Sequence, residues 1–235
     1  MSSLLSITWS MTNKLGRRST YYTYWSATNS EEEPLAQRLS RIDVVRAALR
    51  LLDEEGTDAV TLRGVARALG VHLNSVSLQV GSKARLLDLM ADAILGELSF
   101  DALPAEPIER VKEIFRRYRQ VLLDHRDGAH LVSGTRVSET NTLRLGDAVV
   151  GALLEAQVDA RLAVTTFWGL NSFVVGLVHE EQTAPHDGAR RFEHELAAHA
   201  FPALHGVRDV FLEGSMPVQL EFGLDALLHR AKHRD

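Results

Sequence analysis

The sequence predicts an all-α protein, a small N-terminal helical unit followed by a larger helical core. Three observations carry this. Apolar residues recur at three- and four-residue spacing from Arg38 almost to the end, no stretch alternates apolar and polar residues as a strand would, and glycines and prolines fall where such helices stop. The 235 residues are 45% hydrophobic and 24% charged, ordinary proportions for one or two globular domains.

Residues 1–37 are rich in Ser, Thr and Asn, end in the acidic run Glu31 to Glu33, and show no apolar period, so they read as a flexible arm. Three roles stay open for it. Lys14, Arg17 and Arg18 suit a basic arm on nucleic acid; Tyr21, Tyr22, Tyr24 and Trp25 suit docking on the protein itself; a start at Met11 would leave an inert leader.

The first helix is expected from Arg38 to Gly56, with Ile42, Val45, Ala48, Leu49 and Leu52 inward. Thr61 caps a second, short helix carrying Leu62, Val65, Ala66 and Leu69, which Gly70 stops. A third runs from Leu73 to Val80. Gly81 and Ser82 break and recap the chain into a fourth, from Lys83 to about Ser99, with Leu86, Leu87, Met90, Ile94 and Leu98 inward. Pro104 and Pro107 close a unit of residues 38–100.

Within residues 101–235 the helical period continues through Val111 to Leu122, through Leu143, Leu145, Val149, Leu153 and Leu154, and through Leu162 to Val178. The last stretch carries Thr165, Thr166, Asn171 and Ser172, and is expected as a buried helix rather than a membrane span. A loop is expected over residues 181–191, with helices resuming around Phe192 and again after Pro217.

Composition excludes several classes of function. The chain has no cysteine, which removes disulfide scaffolds, thiolate zinc sites and a catalytic thiol. No secretory signal pattern opens it, and a cytoplasmic location is expected. No nucleophile elbow, phosphate loop or dinucleotide fingerprint is present, so no enzyme is expected. His186, His194, His199 and His205 do not fall at a spacing that stacks two imidazoles on one helical face, and neither a metal nor another cofactor is expected.

Two short helices joined by a tight turn form the unit that places one helix in a DNA major groove. Small Ala66 lets the helices approach, Gly70 permits the turn, and Val76 anchors the second helix. The wider segment Val60 to Met90, VTLRGVARALGVHLNSVSLQVGSKARLLDLM, resembles the TetR family of bacterial repressors in its T-x-R-x-V-A-x-x-L-G-V start and its S-K-x-x-L-L continuation. His125 to Arg136, Gly176 to Gln182 and Glu221 to Leu224 resemble core segments of the family's tetracycline-responsive branch.

The resemblance implies a homodimeric repressor of a palindromic double-stranded DNA operator, released by a small-molecule effector, with no membrane partner. It places phosphate contacts at Thr61, Arg63 and Lys83, and base reading falls to Asn74, Ser75, Ser77 and Gln79, because the helix from Leu73 to Val80 has no Arg or Lys. Ser77 and Val80 stand where the family usually has aromatic residues. Residues 38–100 carry eight basic and eight acidic groups, so binding depends on where charges sit and argues for two heads.

For the effector, the resemblance implies Ser99, Ile114, Tyr118, Val132, Thr135 and Glu180, and the sequence adds Phe167, Trp168, Asn171 and His179. Val132 replaces the branch's metal-binding histidine, and Ile114 replaces a polar gripping residue, so a more apolar pocket is expected. A dimer bundle is implied for about 160–179 and 216–233, with the glycine-bracketed segment Gly128 to Gly134 as the moving part. The rival reading is a helical small-molecule binding or sequestering protein with a degenerate DNA head.

Overall fold

Ser40 starts the first helix by a reciprocal cap. Its hydroxyl accepts from the Asp43 amide at 3.2 Å, while the Asp43 carboxylate accepts from the Ser40 amide at 3.0 Å. In the computed structural model, which describes residues 39–134, 139–184, 195–196 and 200–232, this helix is α1, Arg41–Glu55. The N-terminal arm lies outside the described residues.

Thr61 caps α2, Leu62–Leu69, by accepting from the Gly64 amide at 2.9 Å. Gly70 ends it at φ +66°, a left-handed conformation that a side chain would strain. The third helix, α3, is Leu73–Val80, and Ser82 caps α4, Lys83–Gly96, at the Arg85 amide. Val44, Leu52, Val65, Val76 and Leu86 interlock these four helices into one fully buried core. The short helices have little stability alone and depend on this packing.

The larger unit comprises α5 (Pro107–Leu123), α6 (Gly128–Ser133), α7 (Thr140–Glu155), α8 (Ala160–Thr183), α9 (Pro202–Gly206), α10 (Arg208–Glu213) and α11 (Met216–Lys232). Helix α8 is the spine, packed against α5, α6, α7 and α11. It is long and apolar enough to cross a membrane by length and composition, but Ala163, Thr166, Leu170, Val174 and Val178 are buried within the protein. Gly223 of α11 lies so close to the Phe173 ring of α8 that a β-carbon there would overlap it.

Several expectations need correction. Ile42 is 66% exposed, because the groove it shares with Leu89 and Ala93 between α1 and α4 stays open to solvent. Helix α4 stops at Gly96 rather than near Ser99, although Leu98 beyond it is still buried. Pro107 opens α5 rather than closing the preceding unit, its missing N–H costing nothing in a first turn. Leu143 and Leu154 are exposed, and α8 continues to Thr183, into the expected loop. Phe192 lies outside the described residues.

Arg116 of α5 and Glu221 of α11 form a two-pronged ion pair, with both N···O distances 2.7 Å. Arg116 holds the Glu221 carboxyl below its ordinary range. A depressed carboxylate contributes fully above that range and loses its contribution as pH falls through it. Both groups are partly exposed, so Glu221→Gln is expected to cost below about 1 kcal/mol at neutral pH and nothing in acid, measured by urea unfolding at the two pH values.

Candidate DNA interface and effector cavity

Val76 and Val80 bury one face of α3, and the Arg41 guanidinium donates to the Gln79 carbonyl at 3.1 Å. This fixes the opposite face outward. Asn74 is exposed there, while Ser75, Ser77 and Gln79 are half-buried. Thr61, Arg63 and Lys83 are exposed at the starts of α2 and α4. The Thr61 hydroxyl is already engaged as a cap, whereas Lys83 stands in the first turn of α4, where free amides reinforce attraction for an anion. Reading the polar residues alone missed Leu78, which is 85% exposed. Its signal is a leucine off the Val76–Val80 stripe, with the chemistry for a thymine methyl group.

Two networks join this head to the core. At the end of α1, the Asp127 carboxylate accepts from the Thr57 amide at 3.1 Å and hydroxyl at 2.9 Å. Burial pushes the Asp127 carboxyl up and these hydrogen bonds push it further down, leaving it below its ordinary value. Buried His125 stands between Asp53 of α1 and Glu97, each 3.2 Å from one ring nitrogen. On the other side, Asp92 of α4 accepts from the Asn141 and Thr142 amides at 2.9 and 3.0 Å, supplying the cap that Glu139 does not give α7.

A cavity of about 900 Å³ opens beside α4, between α5, α6, α7 and α8. Ala91 and Leu95 of α4 form one wall; Tyr118, Val132, Phe167, Trp168 and Asn171 form others; Thr142, Leu143, Gly146, Asp147 and Val150 of α7 complete it. The buried Tyr118 hydroxyl donates to Asn171 Oδ1 at 3.3 Å, and burial pushes its phenol up. The Phe167 and Trp168 rings lie 5.2 Å apart at 60°. An adjoining cavity of about 490 Å³ shares Val132, Trp168 and Asn171 and reaches His130 and His179, whose rings stack at 6.1 Å.

The structure thus brings together five of the sequence-derived effector residues, Tyr118, Val132, Phe167, Trp168 and Asn171, with His179 at the adjoining cavity. Ile114 is fully buried in the core, outside both linings. Ser99 lies beyond the end of α4, exposed, where its hydroxyl accepts from the Asp101 amide. Glu180 is exposed and lines neither cavity, and Thr135 lies outside the described residues. The contribution of α7 was missed, because helical period marks which residues pack and not which border a void.

The donors around Val132 do not fit the divalent cation that the tetracycline-responsive branch implies. Val132 presents a hydrocarbon side chain to the cavity, and among the described residues no three carboxylate or imidazole groups gather as a metal site.

Comparison with known proteins agrees with this architecture. Residues 44–90 match the model for bacterial regulatory proteins of the tetR family, and residues 103–229 match the tetracyclin repressor-like C-terminal domain. The chain is 34% identical over 188 residues to the class A tetracycline repressor protein from transposon 1721 of Escherichia coli, covering 79% of this chain and 87% of that one. Among solved structures, a possible TetR family transcriptional regulator from Streptomyces coelicolor A3(2) is similar at TM-score 0.74 and 31% identity, over 81% of this chain and 97% of that one. ActR of Streptomyces coelicolor in complex with actinorhodin is similar at TM-score 0.74 and 26% identity, over 82% and 95%. With both its head and its core matched, the chain belongs to the TetR family of bacterial regulatory proteins.

Proposed function

We propose that this protein is a homodimeric, ligand-responsive transcriptional repressor that holds a palindromic operator until a small molecule fills the cavity. One observation carries the reading: α4 begins beside the DNA face at Lys83 and ends in the cavity wall at Ala91 and Leu95. A ligand pressing on that wall tilts the rod on which the head sits. Asp92 ties the same rod to α7, and the Thr57–Asp127 contact ties the head to α6, so movement of either core helix reaches the head.

Dimerisation supplies the second head. Val164 and Trp168 of α8, with Val218 and Phe222 of α11, leave apolar side chains in water, Phe222 at 75% exposure. Two such helices from each subunit make a four-helix bundle, as the family resemblance implies. Two heads then meet successive major grooves about 34–36 Å apart, so a modest change in their separation defeats simultaneous binding. The relatives being regulators supports a non-enzymatic role in the cytoplasm, where the DNA is.

The test is a mobility shift of the purified protein on a palindrome taken from beside its own gene, repeated with compounds that raise its melting temperature. Retardation reversed by such a compound supports the reading; no retardation supports the sequestering rival. Within the interface, Gln79→Ala is expected to cost about 1–3 kcal/mol at one or two base pairs, and Lys83→Ala to weaken binding to all sequences alike. A panel of single-base operator variants measures both. Equal losses on every sequence for the two variants contradict the assignment.

A further inference from the structure

Among its described lining residues, the cavity is one-sided in charge. Asp147 of α7 is the sole charged side chain among its described lining residues, and the adjoining cavity adds two histidines but no lysine or arginine. Among the described residues, the Asp147 carboxylate has no hydrogen-bond or ion-pair partner. Arg144, three residues earlier on the same helix, is held with its guanidinium carbon 4.5 Å from the centre of the Phe100 ring.

The apolar lining has the same electrostatic sense. Phe167 and Trp168 present two tilted aromatic rings, and Gly146, adjacent to Asp147, faces the Phe167 ring so closely that a β-carbon would touch it at 3.7 Å. Aromatic faces attract cations and repel anions. The Tyr118 hydroxyl spends its proton on Asn171 Oδ1, so it has only acceptor capacity left for a further partner. Nothing among the described lining residues offers a positive charge to a carboxylate or phosphate.

We propose that the cavity selects planar aromatic molecules carrying a protonated nitrogen, Asp147 facing that positive charge while Phe167 and Trp168 stack on the ring system. This rests on the reading of the cavity as the effector site, and names the class of effector it takes. The volume suits a ligand of a few fused rings.

The test uses three probes of one shape in slightly alkaline buffer without DNA: 9-aminoacridine, a cation there; acridine, neutral; and anthracene-9-carboxylate, an anion. Calorimetry on the full chain is expected to give about tenfold tighter binding for the cation than for acridine, with the anion weakest. Asp147→Asn is expected to remove most of the cation's advantage while leaving acridine unchanged, and Asp147→Glu to keep the preference. Asp147 is exposed, so neither variant threatens folding. Equal affinities in the native protein, or a preference undiminished by Asp147→Asn, overturns the charge selectivity alone. If none of the three binds, the effector-cavity reading falls with it.

Discussion

Phe115→Ala is expected to lower the stability of the core by about 3–5 kcal/mol, among the largest effects of any single truncation here. Phe115 is fully buried on α5, and its ring meets the edge of Tyr118 at a centroid distance of 6.0 Å and 66°. Removing it leaves a void beside Tyr118, which lines the cavity. Tyr118 then loses its support on one side, and the Asn171 hydrogen bond that orients it loosens. Urea unfolding measures the stability, and the same variant at low denaturant is expected to bind cavity ligands more weakly. A midpoint within experimental error of the native protein would show that Phe115 is not part of the packing around Tyr118.

Gly128→Ala is expected to cost about 3 kcal/mol and to uncouple the head from the core. A β-carbon at this position would stand 2.4 Å from the carbonyl oxygen of Leu122, a backbone atom that cannot rotate away. The chain arrives there through Asp127 at φ +56°, itself a strained conformation for a residue with a side chain. That strain is held by the hydrogen bonds from Thr57 at the end of α1. Relief of the clash must move α6 or Asp127, and either movement breaks the latch to the head. Operator affinity of the folded variant, compared with and without a cavity ligand, is expected to show a diminished response. Wild-type stability together with wild-type release would remove Gly128 and Asp127 from the coupling path.

Much of the head was legible in the sequence because its signals are local. Ser40 was not singled out as a cap, but Thr61, Gly70 and Ser82 mark ends that any short helix with those residues would respect, and the structure gives α2 and α3 within a residue of the reading. The cavity was half legible. Tyr118, Phe167, Trp168 and Asn171 lie on strongly periodic helices whose faces the period predicts. The α7 wall depends on how far that helix stands from α5 and α8, a distance no periodicity encodes. Ser99 shows how a local difference moves a residue: α4 stops at Gly96, and the turns after it carry Ser99 outward toward Arg117, whose guanidinium donates to the Ser99 carbonyl. The Asp92 bridge was invisible for the same reason as the wall, since its partners Asn141 and Thr142 are some fifty residues away along the chain.

A filled cavity is proposed to change the spacing of the two DNA heads, and the absence of native cysteine makes that distance directly measurable. Ala68 is exposed on α2 and lines neither cavity, so Ala68→Cys carries one spin label per subunit. Pulsed electron resonance then reads the separation of the labels across the dimer, with operator DNA bound and with a ligand that displaces it. The expected result is one narrow distance on DNA and a distribution displaced by several ångströms with the ligand, enough to break the match to major grooves about 34–36 Å apart. The same distance in both states would contradict it.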